Sequence, residues 1–340
     1  MTIDISLTKG DAYEALQAAI DASVNGGDVF IPAGVYTFSK PLVIGKLVNN
    51  KWQQVRIRIH GESSYWGSGG TVLKYTGNDS FALAVQLGKG VEIDHLTIQG
   101  GYIAPIVDSD YYKHTDATYF NPLNKCHATG IVIDYDVSRG KSGSTGVYVH
   151  DVQIRNFETM VAISPAHTQN ADILTFERIQ FADGKYGFVN GQPQEKGNTI
   201  RSIYSWGKMY CLFLNGVKGS AGSGNWVIDG GNIAGSCVQL FDIDQGGWYP
   251  TSISNLFCEG FGRIGKLWSH LGMPLTLTNN VFHPVPSSYE LLINLRGENV
   301  SGSANIIRYY EDDLLRPLKV KSYDGVCRIG GKIAPILFVK

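Results

Sequence analysis

Asp242 and Asp244 close the apolar run Gln239-Leu240-Phe241, and strand alternation puts both carboxylates on one face. Two carboxylates placed this way can act on a glycosidic bond as general acid and general base, or as acid and nucleophile. A Gly246-Gly247 hinge follows, then Trp248 and Tyr249, whose ring faces suit the C–H face of a pyranose. His270 comes about one period further on, just after Trp268-Ser269. With neighbouring strands ~4.8 Å apart, stacking in register would bring it near Asp244 as a proton-transfer partner. Asp242, Asp244 and His270 are therefore the expected catalytic residues. Trp248, Tyr249, Trp268 and Trp66 are the expected sugar-binding surfaces, Trp66 from the Gly-Ser-rich loop 61–70.

A second group lies in the long segment 102–127, where Asp108, Asp110, Tyr112 and His114 fall close together. Their spacing lacks the glycine of a calcium loop, so they are expected to contact substrate. Arg263, Lys266 and Tyr249 are the groups available if the chemistry is elimination from a uronate. The sequence has no phosphate-binding loop, no nucleophile elbow and no metal-ligand spacing, so neither a cofactor nor a metal is expected.

These residues need elements to hold them, and the chain repeats. A polar pair followed by an alternating apolar strand begins at Asp94, His150, Glu177, Arg201, Asp229, Ser254 and Asn279. After a first interval of 56 residues, the spacing is 24 to 28 residues. About half a period away, a second apolar phrase ends in a small polar residue: Ser164, Asn190, Asn215, Asp242, Ser269 and Asn294. Such turn residues stack and bond one another in a solenoid, which is the competing, structural reading of Asp242. Coils of short strands cannot bury an apolar face alone and must stack on their neighbours. Parallel crossovers are nearly always right-handed.

At the start, Ala12, Leu16, Ala19, Ile20 and Val24 fall at helical spacing, and Gly26-Gly27 stops the helix. The phrase Gly26-Gly27-Asp28-Val29-Phe30-Ile31-Pro32-Ala33-Gly34-Val35-Tyr36 then lays down short strands. This opening resembles that of the pectate-lyase-like superfamily. The resemblance implies an all-β fold, a single-stranded right-handed parallel β-helix with an N-terminal capping α-helix. The expected division is a capping region at 1–27, a β-helix at 28–310, and an end cap or oligomer contact at 311–340.

The formal net charge is −1, and no basic run is present, so no nucleic acid or anionic membrane partner is expected. The N-terminus does not read as a signal peptide. Five scattered cysteines, three of them within strand phrases, are expected as free thiols of a chain made in a reducing cytoplasm. Within the superfamily, these features are similar to phage tailspike depolymerases. That resemblance implies cleavage of a bacterial surface polysaccharide, a homotrimer, contact with other phage tail proteins, and a virion-tail or post-lysis extracellular location. The alternative is a non-catalytic glycan-binding or structural tail module. Two departures bear on the choice. The Arg-x-Pro-x-x-Arg phrase of pectate lyases is absent. Of the polygalacturonase phrases only Asp312-Asp313 occurs, outside the repeat.

Overall fold

The computed structural model describes residues 2–4, 10–64, 69–78, 81–101, 129–136, 138–139, 143–164, 170–192, 196–215, 225–245, 249–269, 274–284, 293–296, 300–307, 320–323, 328–329 and 337–338. Trp66, Asp108, Asp110, Tyr112, His114, Trp248 and His270 lie outside the described residues.

The architecture is a right-handed parallel β-helix, and every pairing among the described strands of the solenoid is parallel. Each coil contributes to three faces, called here sheets A, B and C. Long strands such as Gly88–Gln99 and Thr251–Ser269 run round a corner from one face to the next. Registered apolar residues build the core as columns. On sheet A the column runs Val29, Ile59, Ile93, Val149, Phe176, Ile200, Ile228 and Ile253, all buried. Burying each such side chain contributes roughly 1.5–3 kcal/mol, which is what holds one coil on the next. Phe188 sits among Phe176, Phe181 and Phe213, with ring centroids 5.0–6.3 Å away. Trp226 is fully buried, its ring against Phe213.

Helix α1 (Tyr13–Ser23) covers the first coil with Leu16, Ala19 and Ile20. Asp11 Oδ1 accepts the Tyr13 N–H at its start, and the same carboxylate takes the Ser39 hydroxyl. Gly26 at φ 108° makes the turn out of the helix, and a Cβ at Gly27 would meet Ser23 at 2.8 Å. A strand at Thr2–Asp4 pairs with residues 28–30 beyond the helix. Within segment 311–340, Val320–Tyr323, Arg328–Ile329 and Leu337–Phe338 continue the parallel ladder onto strands of the preceding coil.

Cys211, Cys237 and Cys258 are buried free thiols, and Cys258 is a rung of the sheet B core between Ile233 and Phe282. Burial pushes the Cys237 thiol up to about 12 and the other two well above their ordinary value, so none is a nucleophile at neutral pH. The polar ladder drawn from the sequence holds only in part. Asn190 and Asn215 are in register, with Asn190 Nδ2 donating to Asn215 Oδ1 at 2.5 Å. Asn215 then faces Ile243, Asp242 pairs with Lys266, and Ser269 pairs with Gln245. Asp242 is therefore not a rung of the asparagine ladder.

Candidate active site

The corner between sheets A and B is a repeated left-handed residue. His95, Asp151, Arg178, Ser202, Asn255 and Asn279 all have φ between 51° and 57° at this position. Apart from glycine, asparagine, aspartate and histidine enter that conformation most readily, whereas other side chains cost roughly 1–2 kcal/mol there. Arg178 is thus an expensive choice for a turn, and His95 a tolerated one. They stand where the last sheet A residues of successive coils, Asp94, His150 and Glu177, line up in register on the outer face.

These side chains, with their neighbours on the same face, form one connected polar group. Arg58 reaches across from the preceding coil and grips Asp94 with both arms, Nε to Oδ2 at 2.8 Å and Nη2 to Oδ1 at 3.0 Å. The Asp94 carboxylate is 0% exposed and also bonds Nδ1 of His95. Burial alone would raise its pKa. The hydrogen bonds from Arg58 and His95 outweigh that, and the carboxyl lies below its ordinary value, so it is an anion at neutral pH. His95 itself is 45% exposed, and its Nε2 makes no hydrogen bond to a described residue. The arrangement is a buried carboxylate orienting an imidazole whose other nitrogen faces outward.

Beside it runs a second line. His150, only 10% exposed, has Nδ1 2.8 Å from Asp151 Oδ2 and Nε2 3.1 Å from Glu92 Oε1. Tyr148 stacks on the His150 ring at 4.2 Å and donates its hydroxyl to Glu177 at 2.7 Å. The Arg178 guanidinium holds Asp151 from both sides at 2.7 Å and also contacts Glu177. The Arg178 bond keeps the Asp151 carboxyl far below its usual range, against the opposing effect of burial. The Tyr148 bond lowers Glu177, and burial together with that bond raises Tyr148. Glu92, 37% exposed, is the carboxylate of this line that is open to solvent.

The two lines meet closely. His95 and His150 rings are 5.8 Å apart and perpendicular. One ligand atom each from His95, His150 and Asp151 lies within 4.8 Å of the others, as does one each from Glu92, Asp94 and His150. These sets are the residues that could hold a cation. Yet Asp94 and Asp151 already lie in arginine forks that would repel a dication, and the geometry is better suited to moving protons.

Of the residues singled out from the sequence, Asp242, Asp244 and Trp268 sit elsewhere, on sheet C. Asp242 and Asp244 do share a face, but Lys266 stands between them, Nζ at 3.2 Å and 3.1 Å. That ammonium lies over the Trp268 ring at 4.4 Å. Trp268 pairs with Asp244 across the coils, so three of the expected residues are brought together. Tyr249 begins the described segment that leads into Thr251–Ser269, and it is partly exposed. The sheet A group was in plain view as the recurring polar pair but read as repeat punctuation. The signal that marks it is histidine and arginine at corner positions that ordinarily take asparagine or glycine.

No protein-family model matches the sequence, and no curated protein matches it. Solved structures do resemble it in fold. One is DFA-IIIase from Arthrobacter chlorophenolicus A6 in complex with DFA-III, with 16% identity, a TM-score of 0.59, and coverage of 94% of this chain and 78% of that chain. Another is the endo-xylogalacturonan hydrolase from Aspergillus tubingensis, with 13% identity, a TM-score of 0.55, and coverage of 97% and 92%. A third is the alginate lyase from Paenibacillus sp. str. FPU-7, with 12% identity, a TM-score of 0.55, and coverage of 97% and 98%. Polysaccharide-acting β-helix enzymes are therefore among its structural neighbours. At these identities the likeness shows the fold and carries no residue roles.

Proposed function

We propose that this protein cleaves a glycan, and that it does so by hydrolysing an uncharged polysaccharide at the outer face of sheet A. The observation that carries the reading is the Asp94–His95 pair beside the Glu92–His150–Asp151 line. In this reading Nε2 of His95 gives its proton to the glycosidic oxygen as the bond to the sugar carbon breaks. Glu92 takes a proton from the attacking water, whose oxygen forms the new bond to that carbon. His95 and Glu92 are the catalytic residues. Asp94 and His150 act through them as positioning residues, and Arg58, Tyr148 and Arg178 hold those two in place. Removing such an acid or base typically costs 10²- to 10⁴-fold in rate.

The charge of the patch supports hydrolysis over elimination. Elimination from a uronate needs a cation to neutralise the sugar carboxylate, and the forks of Arg58 and Arg178 are occupied by protein carboxylates, which leaves Arg201, beside Glu177 in the same row, as the arginine outside a fork. Five carboxylates (Asp28, Glu92, Asp94, Asp151, Glu177) face three arginines (Arg58, Arg178, Arg201) on this patch, an acidic excess that disfavours a polyanion. The resemblance of known neighbours to this fold supports a glycan substrate but spans both reaction types. The tailspike setting, the homotrimer and the virion location belong to the same reading and rest on the sequence resemblance alone.

The test is incubation with uncharged and uronate-containing bacterial exopolysaccharides, followed by size-exclusion chromatography and ultraviolet absorbance of unsaturated ends. Shortening of an uncharged polymer without new absorbance is expected. Shortening of uronate polymers with absorbance would replace hydrolysis by elimination.

A second reading has its own observation, the Asp242–Lys266–Asp244 bridge beside Trp268. With Lys266 bridging both carboxylates, this sheet C group is suited to hold a sugar through Trp268 and its polar rim. Glycan retention without any product, lost in Trp268→Ala, would favour that binding role over catalysis.

A further inference from the structure

A cleft of about 550 Å³ opens at the N-terminal end of the solenoid, on another part of the molecule from both groups above. Its walls come from α1, from the turn at 24–25, from the antiparallel hairpin Lys46–Val48 with Lys51–Gln53, and from Tyr135 and Arg139. The size falls within the ~300–1,000 Å³ of small-molecule sites.

Its aromatic wall is fixed from several sides. Trp52 donates Nε1–H to Asp136 Oδ2 at 3.1 Å, and its backbone N–H bonds the Arg139 carbonyl at 3.2 Å. Tyr135 meets the Trp52 ring at 6.3 Å and 66°, so the two rings form a corner. The ring lies so close over Gly45 that a Cβ there would come within 2.9 Å of it. Gly45 is thus a position where the absent side chain makes room for the indole. A hairpin that served only to close the coil end would not need its tryptophan locked by a side-chain bond, a backbone bond and a glycine.

The polar wall carries balanced charge. Asp21 accepts from Gln17 Nε2 at 2.8 Å through one oxygen, which leaves the other for a ligand. Lys46 bonds Asn25 at 3.3 Å, and Arg139 lies 3.4 Å from Asp136. Gln17 is held by the Val43 backbone in both directions, at 2.8 and 2.9 Å. Rigid rings on one wall, with mixed donors and acceptors and no net excess of charge on the other, match an uncharged sugar.

We propose that this cleft is a non-catalytic binding site for an uncharged mono- or disaccharide unit, lined by residues that the sheet A group does not use. It would anchor a polymer end or branch on α1 and the hairpin. Saturation-transfer difference NMR on the full chain, with lactose, cellobiose and N,N′-diacetylchitobiose as probes, tests it. The expected result is saturation of at least one disaccharide that falls at least tenfold in Trp52→Ala and in Asp21→Ala and is retained in His95→Ala. Trp52→Phe should restore part of it, and unchanged circular dichroism of Asp21→Ala guards against misfolding. Absence of saturation with all three probes would overturn the proposal. So would saturation that survives both cleft variants. Because His95→Ala leaves the cleft intact, failure of the sheet A reading and failure of this one give different patterns.

Discussion

At the scale of single residues, the buried charge pair is the strongest feature. Asp94 has no exposed surface and two bonds from Arg58. Truncation in Arg58→Ala leaves an anion short of its partner, a loss of about 1–3 kcal/mol because water can enter where the half-exposed arginine stood. The sign of the pH effect follows from direction. Asp94 and Asp151 have folded pKa values below the ordinary 3.8. Each contributes stability that is fully present above that value and is lost as pH falls through its lower folded value. Urea denaturation should therefore show the Arg58→Ala penalty at neutral pH and a smaller one near pH 3, where the unpaired Asp94 of the variant can protonate. Asp134 works in the opposite sense. Burial raises its pKa despite bonds from Ser144 and Leu87, so its contribution is present below the ordinary value and fades as pH rises through the folded one. The sequence showed Asp94, His95, His150 and Asp151 but not their purpose. Any solenoid places polar pairs at its corners, and only the three-dimensional corner reveals that Arg178 holds a conformation that suits it poorly and that His95 stands against the buried Asp94.

At the scale of elements, the strands were legible because an apolar residue at every second position recurs with each coil. Register was harder. The phrase placed at Asn279 starts one residue earlier, since Asn279 is the left-handed corner and Thr278 ends the sheet A strand. Counting from phrase to phrase cannot see a turn that gains or loses a residue, which is why Asp242 was aligned with Asn215 instead of one position off it. The elements also say which substitutions hurt. Phe188→Ala empties a ring stack and should cost about 3–5 kcal/mol in chemical denaturation. Asn280 accepts from Leu256 and donates to Ile253 and Asn305 inside the coil. Asn280→Ala should cost about 1–3 kcal/mol, mostly through the backbone groups it leaves unpaired.

At the scale of the molecule, the chain is a stack in which each coil supports its neighbours, so its ends matter most. Helix α1 closes one end by burying Leu16 and Ile20 over the first coil. Charging that face with Leu16→Asp and Ile20→Asp together should uncover parallel strand edges, and light scattering should detect aggregates absent from the parent protein. The solenoid and its cap were readable from the opening residues and the period. The placement of the candidate site was not, because three faces carry similar alternating patterns. A sequence shows which residues point outward but not which outward row gathers charge.

The most direct test of the account is a comparison of chain scission on the exopolysaccharide that the wild-type protein shortens. Release of new chain ends would be measured for His95→Ala and for the double variant Asp242→Asn with Asp244→Asn. The account predicts a loss of about 10²-fold or more in His95→Ala and near-parent rates in the double variant. Full activity in His95→Ala with abolition in the double variant would contradict it and move the chemistry to sheet C.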